Sequence, residues 1–282
     1  MTGSPDPSRF LDSPAHPLSA YPNVYEAAFG WDRVPEARDF LRVARASLHR
    51  PPRAMAELAC GTGVLARHWA RAGIPTVGLD RNPRYLMYAE GEARREALPV
   101  EWVLGDLADL ALPNPVDVAV VPMDGLTYLT REEEFRSFFQ GVAEALSPDG
   151  CLLLDLSLVP PGDPAPRFRH RWTVHLRPAG RLRVEWRSWG RAHGPLRQRW
   201  EVGRMVQELK GRPSALFAEV ERHAILAPED LLRWGVREGP FHAMRVRDAP
   251  AHRSPGEVGR VLRGLPRRAG AYLVCFDLRP NR

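Results

Sequence analysis

The apolar residues of this chain change period partway along it, and the change separates two kinds of structure. In residues 34–48, Val34, Ala37, Leu41, Ala44 and Leu48 recur at helical spacing, with Pro35 suited to a first turn. Residues 54–59 then read as a strand entering Cys60-Gly61-Thr62-Gly63, and residues 64–71 as a helix. Residues 76–79 are a short strand ending at Asp80, residues 85–96 a helix, and residues 100–104 a strand before Gly105-Asp106. The β-branched run 116–121 suits a parallel sheet covered on both faces. Thr130 and Glu133 form a capping box before a helix with Phe135, Phe138, Phe139, Val142 and Leu146 on one face. Ser147-Pro148-Asp149-Gly150 stops that helix, and residues 151–156 make a fifth strand. Five alternations of strand and helix predict an α/β fold built on a doubly wound parallel sheet.

After residue 158 the pattern turns to period two. A proline-rich linker at 160–166 leads to a strand with Trp172, Val174 and Leu176 on one face. Leu182, Val184 and Trp186 repeat the pattern, with Pro178-Ala179-Gly180 as the hairpin turn between them. Two further runs, 196–209 and 215–225, flank a turn at Lys210-Gly211-Arg212-Pro213. These predict an antiparallel β insertion over 159–226, between a core at 33–158 and its completion at 227–282. That last part holds a helix at 228–236 and strands at 243–247 and 271–278. Residues 1–20 read as a loose arm within an N-terminal segment 1–32 that is an arm or lid. No internal repeat is visible.

Composition narrows the class. A hydrophobic fraction of 44% and a charged fraction of 26% are ordinary for a soluble globular protein. No apolar run approaches bilayer length, which argues against a membrane protein, and the first residues lack the apolar centre of a signal peptide. The cytoplasm is the expected compartment. Cys60, Cys151 and Cys275 have no metal-type spacing and read as free thiols, with no metal expected. The net charge of +6 comes almost wholly from arginine, Lys210 being the single lysine. So one-sided a choice points to a GC-rich coding sequence more than to a phosphate groove. No aromatic-basic RNA motif accompanies it, so nucleic acid is not the favoured partner.

Glu57, Asp80 and Asp106 stand at the ends of three successive strands and so open onto one crevice. Gly61 and Gly63 permit a tight turn and close approach of a ligand to the backbone. Asp80, about twenty residues beyond them, can accept from both ribose hydroxyls. Asp106 can accept from an adenine amino group, with Leu107 as apolar cover.

The stretch Glu57-Leu58-Ala59-Cys60-Gly61-Thr62-Gly63 resembles the first motif of class I S-adenosylmethionine-dependent methyltransferases. Val77-Gly78-Leu79-Asp80 resembles their acidic second-strand end, Gly105-Asp106 their adenine-side motif, and Leu146-Ser147-Pro148-Asp149-Gly150 the turn before their fifth strand. The likeness covers residues 50–158 and, more loosely, the last two strands. It implies a seven-stranded, mostly parallel Rossmann-like sheet that ends with an antiparallel strand, 271–278. It also implies S-adenosylmethionine as cofactor, held by Glu57, Ala59, Gly61, Gly63, Asp80, Arg81, Gly105, Asp106, Leu107 and Met123. Ala59 departs from the pattern, standing where many members have another glycine. Gly61-x-Gly63-x-x-Ala66 also fits a dinucleotide fingerprint. Glu57 weighs against that reading, because it would repel a pyrophosphate but not the amino group of a methionine moiety.

Methyl transfer from a sulfonium is an in-line displacement, so positioning supplies much of the catalysis. A neutral amine needs only its lone pair aimed, whereas a hydroxyl needs a general base. Asp124 and Tyr128, in the loop after the fourth strand, are the candidate catalytic residues; capping a turn is an equal reading of Asp124. Asp155 is either a substrate contact or a turn hydrogen bond. Tyr21, Tyr25, Phe29 and Trp31 form a lid over the methionine end, as the resemblance implies, or an arm packed on the sheet. His223, with Glu221, is a further substrate-side candidate whose plainer reading is a surface ion pair. Trp172, Trp186, Trp189 and Trp200 would roof a pocket or form a dimer interface, though an aromatic stripe at period two is first of all a core face. No Asn/Asp-Pro-Pro-Tyr/Phe run and no Pro-Cys follow the fourth strand, against methylation of nucleic-acid bases. The expected activity is methylation of N or O in a small metabolite by a monomer or homodimer, in the manner of glycine- and amino-sugar N-methyltransferases. RNA or protein methylation, and a non-catalytic cofactor-binding regulator, are the alternatives.

Overall fold

The apolar runs form two sheets, seen in a computed structural model that describes residues 15–164, 167–176, 180–189, 196–248, 262 and 264–278. The larger has seven strands in the order β11-β12-β6-β5-β2-β3-β4. Its members are β2 (Met55–Leu58), β3 (Thr76–Asp80), β4 (Val100–Leu104), β5 (Val116–Val121), β6 (Leu146–Leu158), β11 (Phe241–Asp248) and β12 (Gly270–Leu278). β2 to β6 pair in parallel, while β12 is antiparallel to both β6 and β11.

Alternation along each strand sets the layers. Val118, Val120, Cys151 and Leu153 face α2 (Val34–Leu48) and α3 (Val64–Arg71), meeting Phe40, Val43, Leu65 and Trp69. Ala119, Val121, Leu152 and Leu154 point the other way, toward Phe135, Phe138 and Phe139 of α5 (Glu132–Ala145). With helices on both faces, the central strands can be apolar throughout. β12 obeys the same rule: from Tyr272 to Phe276 no side chain exceeds 7% exposure. That strand, last in sequence, therefore lies inside the sheet, and β11 takes the edge.

The smaller sheet has the order β1-β10-β9-β8-β7, comprising β1 (His16–Pro17), β7 (Arg169–His175), β8 (Arg181–Trp189), β9 (Gln198–Leu209) and β10 (Arg212–Ala224). Leu182, Val184, Met205 and Phe217 on its inner face pack against Leu18, Val24 and Ala28. The segment from residue 16 is therefore not a loose arm. β1 adds to the sheet beside β10, and α1 (Pro22–Phe29) covers its apolar face. The reading of residues 1–14 lies outside the described residues.

Three local expectations shift. The β9–β10 turn is only Lys210-Gly211, both at positive φ (50° and 78°), so Arg212 and Pro213 already belong to β10. The capping box sits one residue later, because Glu134 reaches back to accept from the N–H groups of Thr130 (2.8 Å) and Arg131 (3.0 Å). Residues 147–150 bulge out of β6 rather than preceding it, since pairing with β5 passes from Val116↔Leu146 to Val118↔Cys151. The turn at 178–180 falls largely outside the described residues. Among the described residues no helix is long and apolar enough to cross a membrane.

Candidate active site

Between the carboxyl ends of the parallel strands and the inner face of the smaller sheet lies a cavity of about 1380 Å³. Its floor begins at β2, whose continuation must reverse within a few residues to start α3. Gly61 and Gly63 do so at φ 54° and 71°, and Ala59 is also left-handed at φ 54°. The glycine common at that last position is thus a backbone requirement, which alanine meets here under strain.

Asp80 ties the turn to β3. Its carboxylate accepts from Gly61 N–H at 2.7 Å and from Asn82 N–H at 2.8 Å. Asn82 in turn caps α4 (Pro83–Arg95) and donates through Nδ2 to the Ser19 carbonyl at 2.9 Å. Ser19 N–H meets Glu219 of β10 at 2.9 Å, so the N-terminal segment bridges floor and roof. Gly105, Asp106 and Leu107 follow β4 along the same wall. One Asp106 oxygen accepts from Ala108 N–H at 2.9 Å, leaving the other free for a ligand.

Glu57 decides what kind of ligand the floor suits. It is 1% exposed, and its carboxylate accepts from Ala66 N–H at 2.7 Å in the first turn of α3. A dinucleotide fold keeps that helix terminus for pyrophosphate. Here the protein's own acid occupies it, and what remains is a buried carboxyl group that a cationic ligand would hold ionised. Residues 55–150 match the methyltransferase domain family. Over that third of its length the chain is similar to methyltransferases.

Among curated relatives, the domain is 34% identical over 115 residues to the cypemycin N-terminal methyltransferase of Streptomyces sp., covering 40% of this chain and 46% of that protein. It is 28% identical over 139 residues to a Streptomyces venezuelae dTDP-3-amino-3,4,6-trideoxy-α-D-glucopyranose N,N-dimethyltransferase, covering 47% of this chain and 55% of the other. The match thus spans about half the length of each. A solved structure with S-adenosylmethionine bound, an amino pentose methyltransferase from Micromonospora echinaspora involved in calicheamicin biosynthesis, superposes with a TM-score of 0.68. It is 19% identical, over 90% of this chain and 96% of that one, and so attests the fold.

The residues of this floor fit S-adenosylmethionine, the cofactor that the sequence resemblance implies. Glu57 suits the α-ammonium group, Asp80 the ribose hydroxyls, and Asp106 with Leu107 the adenine. Burial pushes the Glu57 pKa up to about 8, against the pull of Arg33 and the Ala66 N–H. Two pH effects follow. Without ligand, a raised acid stabilises the fold below its unfolded value, and that contribution is lost as pH climbs toward about 8. A bound ammonium group needs Glu57 ionised, so cofactor affinity rises with pH up to about 8, by at most about tenfold per unit. Titration calorimetry across this range checks it, and Glu57→Gln flattens the dependence.

Most of the residues read from the sequence meet in this cavity. Tyr25, Trp31, Met123, Asp124, Tyr128 and His223 line it, as do Ala59 and Arg81. Three do not. Tyr21 packs on His16 and Phe217 instead. Gly63 faces the Trp102 ring beneath the turn. Asp155, half-buried and pushed up to about 7 by desolvation and by Glu36 and Asp124, offers its backbone carbonyl to Asp124 N–H. Met123 and Asp124 are both left-handed, at φ 50° and 57°. The Asp124 carboxylate is engaged by Ser157 N–H (2.5 Å) and Ser157 Oγ (2.7 Å), so its contacts are those of a loop anchor.

The roof adds residues that no motif announced. Arg33 is 6% exposed and lines the cavity, its guanidinium held by Glu36. Arg199, Glu201 and Glu219 face inward from β9 and β10, beside Glu221, which the sequence pairs with His223. Trp186 lies flat on Gly203, where a Cβ would meet the ring at 1.9 Å, and donates to Glu201 at 2.6 Å. Of the four tryptophans expected to roof the site, Trp172 and Trp186 line it. Trp200 is paired between inward-facing neighbours and turns outward, and the Trp189 side chain lies outside the described residues.

Proposed function

We propose that this chain is an S-adenosylmethionine-dependent methyltransferase acting on N or O of a small metabolite, with an amine the favoured acceptor. The observation that carries the proposal is the acidic and aromatic inner face of the roof, opposite the cofactor residues. Glu201, Glu219 and Glu221, set among Trp172, Trp186 and Tyr128, suit a compact cation. A cavity of about 1380 Å³ has room for the cofactor and a small acceptor together. The relatives point the same way: their names specify the N-terminus of cypemycin, an amino sugar and an amino pentose.

Bound here, the cofactor supplies an electrophilic methyl group. The protein's part is positioning. Glu57 and Arg33 provide opposite charges for the methionine end, and Asp80 fixes the ribose. Tyr25 stacks near Tyr85 and Phe29, at 4.9 Å from each, and closes the site over Gly61. The roof excludes water and draws the acceptor toward its carboxylates. The described cysteines are free and buried, in keeping with a reducing compartment, and we place the reaction in the cytoplasm.

The test is formation of S-adenosylhomocysteine when the protein and cofactor meet amino-sugar nucleotides, peptides with free N-termini, their hydroxyl analogues, and RNA. The proposal expects turnover with a small amine. Turnover with RNA alone, or none with any acceptor by protein that binds the cofactor, would overturn it.

A further inference from the structure

His223 carries a ring nitrogen that accepts and donates no hydrogen bond among the described residues. It lies near the end of β10, 5% exposed, and lines the cavity. Its Nε2 has no hydrogen-bond partner among the described residues. The other nitrogen is fixed by counting protons. Thr127 Oγ1 is 2.6 Å from the Asp124 carbonyl oxygen and 2.8 Å from His223 Nδ1. Two oxygens that close need a proton between them, and the hydroxyl has only one to give. Toward the ring Thr127 then offers only a lone pair, so Nδ1 must donate. The neutral ring carries its proton on Nδ1 and leaves a bare lone pair on Nε2, whose neighbour is Glu221 Oε2 at the cavity wall.

The surroundings suit that nitrogen to gain a proton. Glu221 Oε2 lies 3.5 Å from Nε2 and accepts from the Tyr128 hydroxyl at 2.8 Å. Two acceptors face each other while the ring is neutral; a proton on Nε2 turns them into an ion pair. Tyr128 packs its ring 4.5 Å from the imidazole, with the Arg81 guanidinium 5.7 Å from the Tyr128 centroid. From β9, Glu201 faces the same space with Arg199, which binds it at 2.6 Å and lies 3.9 Å from Asp124.

We propose that His223 takes the proton from the methyl acceptor, with Thr127 as the positioning residue that sets its tautomer and Glu221 as the counter-charge. This rests on the methyltransferase reading of the cavity. An N–H bond of an acceptor ammonium breaks, and its electron pair stays on nitrogen as the attacking lone pair. The Nε2 lone pair forms the new N–H bond, and the positive charge passes to the imidazolium beside Glu221.

The experiment is nitrogen-15 NMR of the histidine-labelled protein across pH, alone and with S-adenosylhomocysteine. The expected spectrum shows neutral His223 protonated at Nδ1. Thr127→Ser keeps that tautomer and Thr127→Val loses it. A wild-type ring protonated at Nε2, or one that never charges in the folded range, overturns the proposal. With an acceptor in hand, His223→Gln lowers kcat about 100-fold with little change in KM, and the deficit shrinks as pH rises. An unchanged pH profile would also overturn it. Failure to bind S-adenosylmethionine would instead sink the methyltransferase reading, and the tautomer would stand as a separate result.

Discussion

Asp80→Ala weakens S-adenosylmethionine binding by about 100-fold or more while the protein stays folded. Asp80 is 9% exposed and spends one lone pair of each oxygen on a backbone N–H, Gly61 and Asn82. Each oxygen keeps a second lone pair, and those are the ones that face the ligand. A hydrogen bond to a charged group contributes about 1.5–3 kcal/mol, and two of them span at least a hundredfold in affinity. Asp80→Asn keeps the shape without the charge and falls between wild type and alanine. Calorimetric titration beside circular dichroism separates lost binding from lost fold. Wild-type affinity in Asp80→Ala would remove the acid from the site.

Gly63→Ala destabilises the protein by about 2–4 kcal/mol, a fall in Tm of roughly 5–10 °C. Two costs combine. At φ 71° an L-residue is strained, and an added Cβ would lie 2.3 Å from the Trp102 ring and 3.3 Å from the Ala89 Cβ. The Trp102 ring lies under the turn, touching the places where Gly63 and Gly78 lack side chains, so it cannot retreat without disturbing β3. In a Trp102→Phe background the smaller ring removes most of the clash and leaves the backbone strain, so the alanine costs less there. Equal losses in both backgrounds, measured by thermal or urea unfolding, would show that the ring is not the obstacle.

The cofactor half was legible because it is written locally. Glu57, Asp80 and Asp106 each follow a strand whose apolar run is plain, and the rule that ligands gather at carboxyl ends of such strands brings them together. The acceptor half is assembled from distant segments. Arg33 precedes a helix with nothing to mark it, yet the entry into α2 sets it on the cavity wall with Glu57. Glu201, Glu221 and His223 share a face only because β9 and β10 pair in one register, Glu201 opposite Glu221 and Arg199 opposite His223. A slip of one residue would turn every one of them outward. The N-terminal segment misled for a related reason: Pro and Ser suggest a loose chain, while Leu18, Val24 and Ala28 become core once the small sheet exists. Asp124 lines the cavity, but its engagement by Ser157, 33 residues on, leaves no trace in local sequence.

The most direct test of the account is calorimetric titration of the purified protein with S-adenosylmethionine and S-adenosylhomocysteine, with NAD and NADP in parallel. Because Glu57 already holds the α3 terminus, the account predicts roughly micromolar binding of the two adenosyl amino acids and none of the dinucleotides. Well-folded protein that ignored S-adenosylmethionine, or bound a dinucleotide more tightly, would contradict it.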